Sequence, residues 1–376
     1  MHVEIDDLTE LDRHLTATGS LDGTVVQGLD LRAHADRLAD VTAAGAVLLG
    51  VDLDEATCGH LVATGAVVVP RLPDLPYDPF RPALYTIEEL LGGLRRGVEG
   101  SFAADTVDSR IYEHTRAVAP QGTHVGLPVV EALAQRLHDH AVDDAVGDLL
   151  SHHPDVVGVM GGHSLHRDDP VYRTVAEVGR ALARAGLLVA TGGGPGAMEA
   201  ANLGAWLAGR PDAALDESLA LLAAENDYRE ADVYLDVALA VRDRFGEDET
   251  AVSLAVPTWF YGHEPTNVFA THVAKYFANS IREDGLLAIA SRGVIFAPGS
   301  AGTTQEIFQD ATQNHYRVFD DLSPMVLLDT AHWNDRLPAA PLLTALAASA
   351  EEPWAQMITV TDDTDEAVRA ILEPPG

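Results

Sequence analysis

The run Gly293-Val294-Ile295-Phe296-Ala297-Pro298-Gly299-Ser300-Ala301-Gly302-Thr303-Thr304-Gln305-Glu306 decides the fold class. Its first five residues are a compact apolar stretch of the kind buried on both faces in a parallel sheet. A glycine-containing turn follows, and Ile307-Phe308-Gln309-Asp310-Ala311 then reads as the start of a helix. A strand that turns through glycines into a helix is an anion-binding device. The first-turn N–H groups have no intrahelical acceptor, and glycine lets a ligand come close to the backbone. Thr303 and Thr304 add hydroxyl donors suited to phosphate oxygens. Glu306 places a carboxylate within one turn of that anion site, which is unfavourable unless it meets a sugar hydroxyl, a water or a developing cation. Capping of its own helix is the competing role for Glu306.

From Pro154 onward the same texture recurs. Strands are expected at 156–160, 187–190, 252–256, 294–297, 325–328 and 358–360, with helices between them, for instance at 171–185 and 196–208. This is the pattern of an α/β protein with a doubly wound, Rossmann-like parallel sheet, in which ligands bind beyond the carboxyl ends of the strands. Two further strand ends carry glycine loops: Gly161-Gly162-His163-Ser164 and Thr191-Gly192-Gly193-Gly194-Pro195-Gly196-Ala197-Met198-Glu199. Neither is a phosphate loop of the Walker type, because no lysine follows the glycines, and the first does not fit the dinucleotide fingerprint. A strongly acidic helical insertion is expected at about 211–245, as a lid or a dimer-facing element.

These loops resemble those of the Lonely Guy type phosphoribohydrolases, the family once labelled lysine decarboxylases. The family signature P-G-G-x-G-T-x-x-E is met by Pro298 to Glu306 with Ser300 in place of the second glycine, and its upstream loop is similar to Gly192 through Met198. The resemblance spans about residues 154–330, and the chain's length is closer to the larger bacterial nucleotide 5′-monophosphate nucleosidases. It implies hydrolysis of the N-glycosidic bond of a nucleoside 5′-monophosphate to free base and ribose 5-phosphate, with neither metal nor organic cofactor, in a homodimer or higher homo-oligomer. The alternative is a non-catalytic carrier or sensor of a phosphorylated nucleotide or pterin-type ligand. The residues speak against lysine decarboxylation, because Lys275, the sole lysine, has no phosphate-loop context for a pyridoxal phosphate Schiff base.

Breaking an N-glycosidic bond builds positive charge on the ribose, and a carboxylate beside the sugar stabilises it. Glu306 is the candidate for that role. The family also uses an arginine before the motif; Arg282 lies sixteen residues before Pro298 and is followed by Glu283 where the family has lysine. An alternative alignment brings Lys275 to that place, and a surface ion pair with Glu283 or Asp284 is the competing role for Arg282. The phosphate-binding candidates are Gly299, Ser300, Ala301, Gly302, Thr303 and Thr304. The substrate-binding candidates are Gly161, Gly162, Ser164, Gly193, Gly194, Gly196, Met198, Glu199, Trp259 and Asn267. Of these, Glu199 equally reads as a helix-capping carboxylate. Trp259 leads three consecutive aromatics, Trp259-Phe260-Tyr261, that could stack a base, although at least one must pack in a core or an interface. Thr271 and the run Gln313-Asn314-His315-Tyr316 are further polar candidates.

The composition narrows the partners. A net charge of −34 over 376 residues opposes binding of a nucleic-acid polymer, which needs a basic face, but not of one mononucleotide. No apolar run approaches a membrane span, and the acidic start without a secretory core suggests a cytoplasmic setting. The single cysteine, Cys58, excludes an internal disulfide and reads as a small buried residue.

The first 150 residues are expected to form an N-terminal α+β extension to a catalytic domain at 151–376. Gly23-Thr24-Val25-Val26-Gln27-Gly28-Leu29-Asp30-Leu31 is echoed by Gly45 to Leu53 and by Gly65 to Pro70, with the opening glycines 22 and 20 residues apart. That spacing suits short solenoid turns of one strand each. A proline-rich connector follows from Pro70 to Pro82. From Ile87 to about His153 the signal is helical, with Thr86 as an N-cap. His114, His124, His138, His140, His152 and His153 in this stretch read as surface or interface residues without metal-like spacing.

Overall fold

The computed structural model describes residues 3–119, 126–246, 248, 250–319 and 321–375. Two compact units divide the chain: Met1–Leu84 with Thr123–Ala145, and Tyr85–Gly122 with Val146–Gly376.

In the first unit the glycine-led repeat builds a four-stranded parallel sheet in sequential order, β1 (Val3–Ile5), β2 (Thr24–Gln27), β3 (Val47–Val51) and β4 (Val67–Pro70). Val25 pairs with Val47 and Val47 with Val67, so the strand offsets reproduce the glycine spacings of the repeat. The opening glycines share a physical cause: Gly23, Gly45 and Gly65 adopt φ of 68°, 70° and 110°, which side chains resist. The Asp-Leu endings pair as well, Asp30 bridging to Asp52. Val26 and Leu48 face inward onto Leu11, Leu38 and Leu61, all fully buried. Helices Leu8–Thr18 and Glu55–Ala63 are N-capped by Asp7 and Asp54, whose carboxylates accept first-turn N–H groups.

Two expectations are corrected here. His138 is not a surface residue but fully buried, edge-on to Tyr77 with centroids 5.5 Å apart and Nδ1 3.2 Å from Asp139 Oδ1. Its helix, Val129–His152, buries polar as well as apolar residues along this stretch, Glu131, Gln135 and Asp139 among them. Cys58 is only half-buried. His124 lies outside the described residues.

The second unit is the doubly wound α/β fold. Seven parallel strands run in the order β11-β10-β9-β5-β6-β7-β8, with β5 (Val156–Met160), β6 (Leu188–Thr191), β7 (Ser253–Ala255), β8 (His272–Val273), β9 (Val294–Phe296), β10 (Met325–Leu328) and β11 (Ile358–Thr361). The inner strands are buried along their whole lengths, which explains why they read as unbroken apolar runs. The chain builds outward from β5 to β8, then returns to the other side of β5 with β9. The winding direction therefore reverses between β5 and β9, the position at which such sheets open a crevice at their carboxyl edge.

The acidic insertion forms helices Asp212–Leu222 and Ala231–Phe245. It is tied to the glycine-loop helix, Ala197–Trp206, through buried Glu199. Tyr172 and Tyr234 each donate a hydroxyl to Glu199 Oε2, at 2.8 and 2.6 Å, and Arg167 forks both carboxylate oxygens at 2.6 and 2.9 Å. The Arg167 guanidinium lies 3.3 Å over the Tyr234 ring.

Candidate functional site

A cavity of about 430 Å³ opens at the switch point of the seven-stranded sheet. Gly161 and Gly162 from the end of β5 line it, as do Gly192, Gly193 and Gly194 from the end of β6 and Ser300, Gly302 and Thr303 from the turn after β9. Three loops far apart in sequence are thus brought to one crevice because their strands are parallel neighbours.

The anion-binding end is the start of helix Ala301–Tyr316. Ser300 is its N-cap residue, yet its side chain makes no capping bond, so the first-turn N–H groups are not satisfied by their own cap. Gly299 is required by packing. A side chain there would collide with Thr303, whose hydroxyl folds back over the turn. The Gly299 carbonyl accepts a bond at 3.1 Å from the His332 ring, which anchors the turn from behind. Thr304 is committed elsewhere, its hydroxyl donating to the Ser300 carbonyl at 2.9 Å.

Arg282 and Glu306 both line the cavity, with Nη1 and Oε1 3.7 Å apart. Arg282 is held by backbone rather than by carboxylates: Nε donates to the Val256 carbonyl at 2.8 Å and Nη2 to the Gly192 carbonyl at 3.4 Å. Gly192 has no room for a side chain because a Cβ would strike that guanidinium. Burial pushes the Glu306 carboxyl up to about 7; Arg282 opposes the rise and the neighbouring charge of Glu283 adds to it. Asp310, one turn further along the same helix, is fully buried with Oδ2 unpaired, and burial pushes it up to about 8. Glu283 is occupied at the rim, accepting from Tyr261 at 3.1 Å and from Gln305 at 2.9 Å.

The cavity also carries a second charged group, one that the sequence offered only as the alternative to Arg282. Lys275 lines the cavity, and its ammonium donates to both oxygens of Asp108, at 2.7 and 2.8 Å. Asp108 is fully buried and also accepts from Trp259 Nε1 at 2.7 Å and from Thr266 at 3.3 Å. Burial alone would raise its carboxyl, but Lys275 and His263 hold it well below the usual range. The His263 ring stacks on Phe102 at 4.2 Å and on Tyr112 at 5.4 Å, with Nε2 3.4 Å from Asp108. At the mouth, His163 Nδ1 lies 2.8 Å from Glu264 Oε1, and that bond raises the imidazole's affinity for a proton.

Of the residues singled out from the sequence, the cavity brings together Gly161, Gly162, Gly193, Gly194, Met198, Asn267, Arg282, Ser300, Gly302, Thr303 and Glu306. Gly299, Ala301, Thr304, Ser164 and Gly196 do not line it. Glu199 is consumed by Arg167, Tyr172 and Tyr234, and Trp259 is 1% exposed in the core against Phe277 and Tyr85. Of the three aromatics only Tyr261 reaches the lining. Asn267 lines the cavity, but its amide donates to Asn202 and to the Met198 carbonyl, at 2.9 and 3.3 Å. Among the described residues no cluster of His, Cys, Asp and Glu is placed to hold a metal ion, and no helix is long and apolar enough to cross a membrane.

Residues 155–210, which carry the first two glycine loops, match the model of the SLOG cluster4 family. Over these residues the resemblance drawn from the motifs is supported as one to a Lonely Guy/SLOG-like family. Among solved structures the chain is similar to the X-ray structure of TM1055, a structural-genomics target, at 20% identity and a TM-score of 0.38, covering 58% of this chain and 99% of that one. It is also similar to the molybdenum cofactor binding protein of the phototrophic bacterium Rippkaea orientalis, at 15% identity and a TM-score of 0.37, covering 58% and 96%. No curated protein matches the chain.

Proposed function

We propose that this protein hydrolyses the N-glycosidic bond of nucleoside 5′-monophosphates, releasing free base and ribose 5-phosphate. One observation carries the reading: a desolvated carboxylate, Glu306, paired with a backbone-clamped arginine 3.7 Å away, one turn from a helix N-terminus whose cap residue makes no side-chain capping bond. The helix start and the hydroxyls of Ser300 and Thr303 would hold the 5′-phosphate. That remote grip fixes the sugar with C1′ beside Glu306, where the carboxylate faces the positive charge that develops as the bond to the base lengthens. Water supplies the balance: its oxygen bonds to C1′ and one of its protons leaves with the base nitrogen. Arg282 favours the ionised form of Glu306 and offers Nη1 to the ribose or phosphate.

Incubation with AMP, GMP, IMP, CMP and UMP, followed by chromatographic assay of free base and ribose 5-phosphate, tests the activity. Equimolar release of the two products from any of them supports it. Saturable nucleotide binding without release would leave a carrier or sensor of phosphorylated ligands and remove the enzymatic reading.

A further inference from the structure

We infer that Lys275, held by Asp108, is the group that reads the nucleobase, and that it selects bases with a 6-oxo (purine) or 4-oxo (pyrimidine) group, as in hypoxanthine, guanine and uracil, over those with an amino group there. The inference rests on the mononucleotide reading of the same cavity. An ammonium has three donors. Two of them bond the oxygens of Asp108; the ammonium also lies 5.2 Å over the Trp259 ring, and its third donor has no hydrogen-bond acceptor among the described residues, while Lys275 lines the cavity. Other side-chain donors of the lining are spent within the protein. The Thr258 hydroxyl bonds the Tyr276 carbonyl at 3.0 Å, Thr266 bonds Asp108 at 3.3 Å, and both N–H groups of Asn267 are engaged.

Position points to the base rather than the phosphate. The helix N-terminus follows the inner strand β9, whereas Lys275 follows the edge strand β8, further along the sheet, and the carbonyls that hold Arg282 lie at the ends of β6 and β7 between them. Charge points the same way. Lys275 is neutralised by a buried carboxylate, so it has little net attraction for a dianionic phosphate. Its remaining N–H still makes a charge-assisted bond to a neutral carbonyl, stronger than a bond between neutral groups. An exocyclic amino group at the same place would set donor against donor. Asp108 is the positioning residue: its bonds from Trp259 and Thr266 fix the carboxylate that aims the ammonium.

The test compares IMP with purine riboside 5′-monophosphate, which lacks the 6-oxo group and, with it, the N1 proton. In the Glu306→Gln background, which turns over too slowly to consume the ligand, equilibrium dialysis is expected to show IMP bound about 10- to 100-fold more tightly, the range of a charge-assisted bond left unmade. Equal affinities would overturn the inference. The double variant Lys275→Met/Asp108→Asn, in the same background, removes both charges together, so neither is left buried alone. It should shrink that preference to within about threefold, consistent with loss of one discriminating bond. A preference unchanged in the folded double variant would also overturn it. Because affinity is read directly, absence of base release would refute the hydrolase while leaving the base-reading role of Lys275 decided by these ratios.

Discussion

Arg282 Nη1 lies 3.7 Å from Glu306 Oε1, while the rest of the guanidinium is tied to the carbonyls of Val256 and Gly192. The arginine is therefore fixed before any ligand arrives, and the carboxylate is the partner with freedom to respond. A pair close enough to interact but short of a hydrogen bond leaves both groups able to engage a third.

Replacing Glu306 by Gln should reduce turnover by about 100- to 1,000-fold, the usual loss when one preorganised electrostatic group is removed. Mononucleotide affinity should fall much less, because the phosphate grip lies elsewhere. Steady-state kinetics paired with a binding titration separates the two effects.

The pH profile follows from the raised carboxyl. If ionised Glu306 is the active form, kcat/KM rises as pH increases and levels off above about 7. Arg282→Met removes the charge that opposes the rise, so the limb should move to higher pH in addition to any loss of rate. A profile whose limb stays in place in that variant would show that another group governs it.

The same carboxyl has a stability signature. A folded-state value of about 7 against an ordinary 4.5 means the native state holds a proton that the unfolded chain has lost. Stability is therefore lost as pH climbs between those values. Glu306→Gln has no such proton, so its Tm should exceed that of the wild type by a few degrees at pH 8, with the difference closing toward pH 5. Asp310→Asn should behave alike for the same reason, its carboxyl being pushed up to about 8 by burial.

Glu199 offers the contrast. Its substitution by Gln leaves the Arg167 guanidinium buried without a counter-charge and weakens two tyrosine hydrogen bonds. A loss of about 3–5 kcal/mol is expected in denaturant unfolding. Mononucleotide affinity per folded molecule should be retained, since Glu199 does not line the cavity.

Much of this was legible in the sequence where the cause is local. Strands 156–160 and 325–328 coincide end to end with the expected ones, because buried parallel strands appear as apolar runs bounded by turn residues. The glycine-led repeat predicted one short strand per copy, and the register of the first sheet follows its spacing. β1 and β8, of three and two residues, leave too short a pattern to read. The turn from Pro298 to Glu306 carries its chemistry in consecutive residues, so its character was visible. The Lys275–Asp108 pair was not, because it joins residues 167 positions apart. Which of three adjacent aromatics would be buried was likewise undecidable locally: Trp259 turns inward because its indole N–H finds Asp108.

The account stands most directly on one experiment: release of ribose 5-phosphate from a mononucleotide panel by the wild type and by Glu306→Gln, with binding measured in parallel. It predicts equimolar sugar phosphate and base from the wild type, and loss of at least about 100-fold in the variant with nucleotide still bound. Wild-type binding without release, or a variant that turns over at the wild-type rate, would contradict it.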